Sequence, residues 1–269
     1  MKATIPDPQL KFYTLWDLDS PTQELRKANA SLSRVDQTRR QLFADISHEL
    51  RTPLTMIRGE AQVALRGFKK SPAEYKEALQ RIHDQAQQLG RLVDDLLFIA
   101  RTDGGALHLK QEVVALHTLV GQVCLKAEVL TDPRNIHIHF QTNVKSAMVA
   151  GDPGRLRQLF VILLENAIRY SKPAGRITVD ISPALAGVAV SVIDSGIGIV
   201  PDELERVFER FYRGGNGATA NPEGSGLGLP VAKAIVDAHS GTIKIASKLN
   251  EGTTVTVTLP VARKLQAVA

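Results

Sequence analysis

Cysteine is almost absent from this chain of 269 residues, and the single Cys124 excludes an internal disulfide. With no neighbouring Cys or His at zinc-ligand spacing, it reads as a reduced thiol packed among apolar residues. Long hydrophobic runs are missing too: nothing approaches the eighteen apolar residues that cross a bilayer, and the opening MKATIPDPQL lacks the apolar stretch of a signal peptide. A cytoplasmic chain without a membrane segment is expected. Aromatic residues make up only 5%, which leaves few stacking platforms of the kind that bind single-stranded nucleic acid. Nor is charge of one sign concentrated, since 33 Lys+Arg against 28 Asp+Glu give a net +5 scattered along the chain. No nucleic-acid partner is expected, and the small positive surplus fits a nucleotide or an acidic protein surface.

What is present begins with two helix signatures. Ser20-Pro21-Thr22-Gln23 has the order N-cap serine, first-turn proline, capping-box glutamine, and predicts a helix start. Behind it Leu25, Ala28, Leu32, Val35, Leu42 and Ile46 recur at alternating spacings of three and four, with Arg39 at the one position that breaks the seam. That is a coiled-coil pattern running into FADISHELRTPL, where Pro53 is expected to bend the helix. A second start, Ser71-Pro72-Ala73-Glu74, precedes Leu79, Ile82, Ala86, Leu89, Val93, Leu96 and Ala100 and ends at Asp103-Gly104-Gly105. Two helices with one seam each form a hairpin, and a pair of hairpins packed as a dimeric four-helix bundle hides both seams.

After Gly105 the periodicity changes. Alternating stretches at 136–140, 177–181, 188–193, 242–246 and 253–259, with helical patterns clearest at 153–170 and 226–239, predict an α+β two-layer sandwich whose sheet is covered on one face by helices. The stretch 213–224 is rich in Gly, Asn and Pro and reads as a mobile loop. Three clusters carry chemistry. Asp194-Ser195-Gly196-Ile197-Gly198-Ile199 follows a strand, and its glycines let backbone approach a ligand closely. Gly224-Ser225-Gly226-Leu227-Gly228-Leu229 opens a helix whose N–H groups and positive end suit phosphate oxygens. The third, Asp152-Pro153-Gly154-Arg155-Leu156, leads into a helix bearing Glu165, Asn166, Arg169 and Tyr170, where the Asn166 carbonyl oxygen suits a hard cation such as Mg²⁺.

SHELRTPL, LLENAIRY, DSGIGI, FERFYR and GSGLGL occur here in the order found in sensor histidine kinases of two-component signalling, and over residues 20–260 the chain resembles that family. The resemblance implies a dimerisation and phospho-acceptor hairpin followed by an ATP-binding domain of the gyrase, Hsp90 and histidine kinase type. It implies a protein-histidine kinase that autophosphorylates His48 with ATP and Mg²⁺ and passes the phosphoryl group to an aspartate of a response-regulator receiver domain. The domains implied are 1–36 as N-terminal segment and coiled-coil signalling helix, 37–105 as the hairpin, 106–262 as the ATP-binding domain, and 263–269 as a tail. A cytoplasmic location is implied, either for the chain by itself or as the cytoplasmic part of a membrane-bound sensor.

The same resemblance assigns roles that the residue types support. His48 is the phospho-acceptor, Glu49 fixes its tautomer or takes its proton, and Thr52, one turn on, positions water for hydrolysis of the partner's phosphoaspartate. Asp194 accepts the adenine amino group, with Gly196 and Gly198 shaping the pocket, while Asn166 holds Mg²⁺. Arg169 and Tyr170 reach phosphate and sugar, and Arg213 offsets charge on the transferred group. Phe208 and Phe211 anchor the loop, and Gly224, Ser225, Gly226, Leu227 and Gly228 bring backbone around the triphosphate. One position departs from the family pattern: Ile162 stands where a second asparagine usually precedes the magnesium-binding one. That leaves two alternatives to a strong autokinase, a phosphatase-dominant protein and an ATP-gated scaffold. The remaining histidines, His83, His108, His117, His137, His139 and His239, read as structural, the strand pair His137 and His139 lacking a third ligand.

Overall fold

The computed structural model of the chain describes residues 16–66, 71–104, 109–131, 135–144, 147–215 and 224–262. Met1–Arg51 form one compact unit and Thr52–Ala269 a second. The first unit is the leading part of a long helix, α1 (Trp16–Leu65). Its backbone is helical along the whole 21–46 seam, whereas the side chains of Leu25, Ala28, Leu32, Val35, Arg39 and Leu42 lie outside the described ones. One expectation needs correction. The helix begins at Trp16 rather than Ser20, because a proline within the opening turns forfeits only one intrahelical bond and the preceding residues extend the helix past it. At the other end the helix continues past a buried Pro53 to Leu65.

In the second unit the end of α1 is followed by α2 (Pro72–Asp103), which starts as its sequence demands. Ser71 accepts from the Glu74 N–H, and Glu74 Oε2 accepts from the Ser71 N–H at 2.6 Å, a complete capping box with proline at the first position. A two-pronged ion pair from Arg81 to Glu60, at 2.9 and 3.1 Å, ties α2 to the end of α1. The remainder is an α+β sandwich. Its main sheet contains β2 (His137–Thr142), β4 (Arg176–Ala184), β5 (Gly187–Asp194), β6 (Thr242–Lys248) and β7 (Gly252–Leu259) in the order β2-β4-β5-β7-β6. The β2–β4 pairing is parallel and the others antiparallel. A two-stranded sheet of β1 (Glu112–Ala115) and β3 (Met148–Gly151) stands beside it.

Helices α3 (Leu116–Thr131), α4 (Pro153–Tyr170) and α5 (Gly228–Ala238) supply the second layer. Leu156, Leu159 and Phe160 of α4 and Val231 and Ile235 of α5 are buried, as are Ile177, Val179 and Ile181 of β4 and Val190 of β5. Alternation along β4 turns every second residue to the helices, so a period-2 pattern fixes which face is core. Cys124 is buried in α3, and burial pushes its thiol up to about 11, which keeps it protonated and unreactive. Among the described residues no helix is long and apolar enough to cross a membrane.

Candidate functional site

Asp194 ends β5, paired across the sheet with Ile177 and Thr253. Its Oδ1 accepts the Gly196 N–H at 2.8 Å and the Thr253 N–H at 3.2 Å. With one oxygen held by two backbone donors, the carboxylate is fixed in orientation and Oδ2 remains as an acceptor. Burial raises the Asp194 carboxyl above the ordinary range, against the pull of those two N–H groups. The DSGIGI turn that follows is pressed between the end of α4 and the β6–β7 turn: Ile197 N–H donates to Tyr170 O at 3.1 Å, and Asn250 N–H to Ile197 O at 2.7 Å. A Cβ on Gly196 would meet Tyr170 O, and Gly198, at φ +67°, lies against Lys248 O. Glycine is therefore required at both positions. Ser247 Oγ accepts from Ile199 N–H at 2.9 Å and lies 2.8 Å from Thr253 Oγ1, bracing the same corner.

Along α4, Asp152 caps the N-terminus by accepting from Gly154 and Arg155 N–H. His239, only 6% exposed, fastens this end of the helix: its Nδ1 lies 2.7 Å from Ile235 O, and its Nε2 accepts the Asp152 N–H at 3.0 Å. The histidine is thus structural and held as the Nδ1–H tautomer. One turn before the C-terminus, Asn166 meets the start of α5. A Cβ built on Gly228 would stand 3.7 Å from Asn166 Nδ2 and 3.3 Å from Ile162 Cγ2. No side chain at the Leu227 N-cap position closes the N-terminus of α5, so its first N–H groups suit an anion. Gly226, at φ +69°, accepts from Phe211 N–H at 3.0 Å, and a Cβ there would strike the Phe211 backbone. Phe211 itself is at φ +60°.

In the first unit, His48 is 77% exposed and its Nδ1 lies 3.9 Å from Glu49 Oε1. Ser47 Oγ donates to Phe43 O at 2.7 Å within the same helix. Thr52 is exposed four residues beyond His48 along α1.

Residues 38–105 match the His Kinase A (phospho-acceptor) domain family, and residues 151–263 match the histidine kinase-, DNA gyrase B- and HSP90-like ATPase family. The sensor protein SrrB of Staphylococcus aureus is 33% identical over 226 residues, which is 84% of this chain and 39% of SrrB. Among solved structures, the histidine kinase AdeS of Acinetobacter baumannii aligns with a TM-score of 0.64 at 27% identity, covering 80% of this chain and 98% of the solved AdeS chain. ShkA, solved at full length in complex with AMPPNP, aligns with a TM-score of 0.61 at 27% identity over 83% of this chain and 47% of its own. The chain belongs to the sensor histidine kinases. It spans well under half the length of the curated relatives it matches.

In this histidine kinase, Asp194, Gly196, Gly198 and Tyr170 meet at one corner, Asn166 and Gly228 at another, and Gly226 lies against the Phe211 backbone. The side chain of Leu227 is fully buried, so that residue offers only its backbone. Leu227 N–H is directed at Ser225 Oγ, 3.4 Å away. Arg169 is exposed at the end of α4, and Arg213 is half-buried. The loop read from 213–224 is described only to Gly215 and again from Gly224, so residues 216–223 lie outside the described ones. Thr253, Ser247 and Gly252 belong to the Asp194 corner and were not foreseen. Their signal was the Gly-Thr pair opening the last strand, which carries no chemistry until β7 is known to lie beside β5.

Proposed function

We propose that the chain is the catalytic part of an ATP-dependent histidine kinase that phosphorylates His48 and donates that phosphoryl group to an aspartate of a response regulator. The observation that carries the nucleotide half is Asp194: a half-buried carboxylate with Oδ1 saturated by backbone N–H groups and Oδ2 left to accept the adenine amino group. Gly196 and Gly198 admit the flat base where any Cβ would collide with backbone. Asn166 and the N-terminus of α5 bound the phosphate end, with Arg169, Tyr170 and Arg213 as further contacts. Asn166 would hold Mg²⁺ through its carbonyl oxygen, and the ion would supply charge neutralisation at the phosphate end.

His48 Nε2 attacks the γ-phosphorus, the bond to the ADP oxygen breaks, and Glu49 on the Nδ1 side stabilises the charge that develops on the ring. Thr52 serves the reverse chemistry by orienting water toward a phosphoaspartate. The working unit is a homodimer in the cytoplasm, with the input domain supplied outside the matched residues. Incubation with [γ-³²P]ATP and Mg²⁺ tests the reading: label stable to base, labile to acid and absent from His48→Ala is expected, and label persisting in His48→Ala overturns it. Ile162, packed beside Gly228 where a second amide would face the phosphates, favours a second reading, a phosphatase-dominant protein. ATP binding without label, together with faster loss of phosphate from the phosphorylated regulator, is its signature.

A further inference from the structure

Glu203 closes a short 3-10 turn, Pro201–Glu203, and its carboxylate is used 12 residues downstream. Gly215 N–H donates to Glu203 Oε1 at 2.9 Å. Burial, then the negative charge of the same carboxylate and a hydrogen bond to it, lifts the Tyr212 phenol above its ordinary value. A Cβ on Gly214 would run into the Glu203 carboxylate, so residue 214 is small where the acid comes closest. Arg206 does not compete for Glu203: its guanidinium lies 4.1 Å over the Tyr212 ring, and its Nε is 3.4 Å from Glu209 Oε2. The segment Tyr212–Gly215 is thus pinned on both sides. Ahead of it, Phe211 N–H is fixed to Gly226 O at 3.0 Å, and at its far end Gly215 is fixed to Glu203.

Arg213 lies between these two anchors, two residues from each. A surface carboxylate usually finds a lysine or arginine, and such a pair contributes little. Glu203 instead spends its oxygens on a main-chain N–H and a phenol of one segment, an arrangement that places backbone rather than balancing charge. We propose that Glu203 is a positioning residue for phosphoryl transfer, holding Tyr212–Gly215 so that Arg213 is presented to the group being transferred. This rests on the kinase reading above. Misplacing a transition-state cation slows chemistry far more than it weakens ground-state binding.

Three proteins decide it: wild type, Glu203→Ala, and Glu203→Gln, whose amide oxygen still accepts from Gly215 N–H. Expected is a fall of about tenfold in kcat for His48 labelling in Glu203→Ala, with KM for ATP changed by less than about twofold, and near wild-type kcat in Glu203→Gln. Trypsin cleavage after Arg213, followed by mass spectrometry in nucleotide-free protein, should be faster in Glu203→Ala and unchanged in Glu203→Gln. Should Glu203→Ala lower the melting temperature, Gly214→Ala, which displaces the carboxylate without removing it, should reproduce the kcat loss and the faster cleavage. Equal kcat and equal cleavage in Glu203→Ala and wild type overturn the proposal, as does a Glu203→Gln as impaired as Glu203→Ala. If wild type takes no label at all, the kinase reading fails, and the trypsin comparison still decides whether Glu203 holds the segment.

Discussion

Asp194 Oδ1 already accepts from Gly196 and Thr253 N–H, so everything the side chain offers a ligand passes through Oδ2. Asparagine in its place can keep Oδ1 and present an NH₂ where Oδ2 stood, so that two donors would face the adenine amino group. Asp194→Asn should therefore lose roughly 100-fold or more in ATP affinity by calorimetric titration while its melting temperature changes little, since a site built to accept a hydrogen bond rejects a mismatched partner strongly. Acidity acts on the same atom. Because burial raises the Asp194 carboxyl, the ionised form that accepts is lost at a higher pH than for an ordinary aspartate, and wild-type affinity should fall as pH drops into that range. Affinity unchanged in the variant would remove Asp194 from the adenine site. Asp194, Asn166 and the glycines were legible because each sits in a short string with its own local logic. Thr253, Ser247 and Glu203 were not, because their partners lie on other elements and only the β5–β7 pairing or the turn before Phe208 brings them together.

Between elements, one contact carries a testable cost. Asp95 of α2 accepts from Gln158 Nε2 of α4 at 2.9 Å, and beside it Arg155 of α4 lies 4.3 Å over the Phe98 ring. Burial, then the neighbouring Asp94 charge, lifts Asp95 from 3.8 to about 6, with Arg155, Gln158 and Arg91 pulling the other way. The folded-state value lies above the unfolded one, so the ionised form is the penalised one. The penalty is complete above about pH 6 and disappears as pH falls toward 4. Such a displacement is worth about 3 kcal/mol for a fully buried group, and solvent screening of this half-buried one leaves about 1 kcal/mol. Asp95→Asn keeps the acceptor for Gln158 and cannot ionise, so calorimetry should show it melting about 2–4 °C above wild type at pH 8 and level with it near pH 4. A variant less stable than wild type at pH 8 would mean that the Arg155 and Arg91 attractions outweigh burial. At this scale α4 and the five long strands were legible because caps and alternation agree. Strand β3 escaped because a strand of 4 residues is too short to show a period. Helix α3 escaped because Leu116, Leu119, Val120, Val123, Cys124 and Ala127 are all buried, which broadens the apolar face and blurs the amphipathic signature.

For the whole molecule, the deciding feature is the apolar surface left on the hairpin. Along α2 none of the expected seam is buried: Leu79 (64%) and Val93 (40%) are exposed, while the residues that are buried, Ala78, Leu92 and Ile99, are its sequence neighbours. Leu97 (49%) and, on the end of α1, Leu54 (57%) are exposed as well. A second copy of the hairpin covers such a line, and in a two-fold arrangement every residue of the patch counts twice. Each fully covered Leu or Val side chain contributes about 1.5–3 kcal/mol, so three positions seen by both copies are enough to hold a dimer together. Light scattering of the purified chain should give twice the 29.3 kDa of one copy. A paired Leu79→Glu and Val93→Glu variant should fall to a monomer, with helical circular dichroism unchanged because neither side chain is part of the core of its own chain. A wild-type monomer at micromolar concentration would leave the exposed line unexplained and remove the four-helix bundle. A variant that remains dimeric would move the interface off α2. Dimer loss accompanied by loss of His48 labelling would place phosphoryl transfer between subunits, whereas a labelled monomer would place it within one.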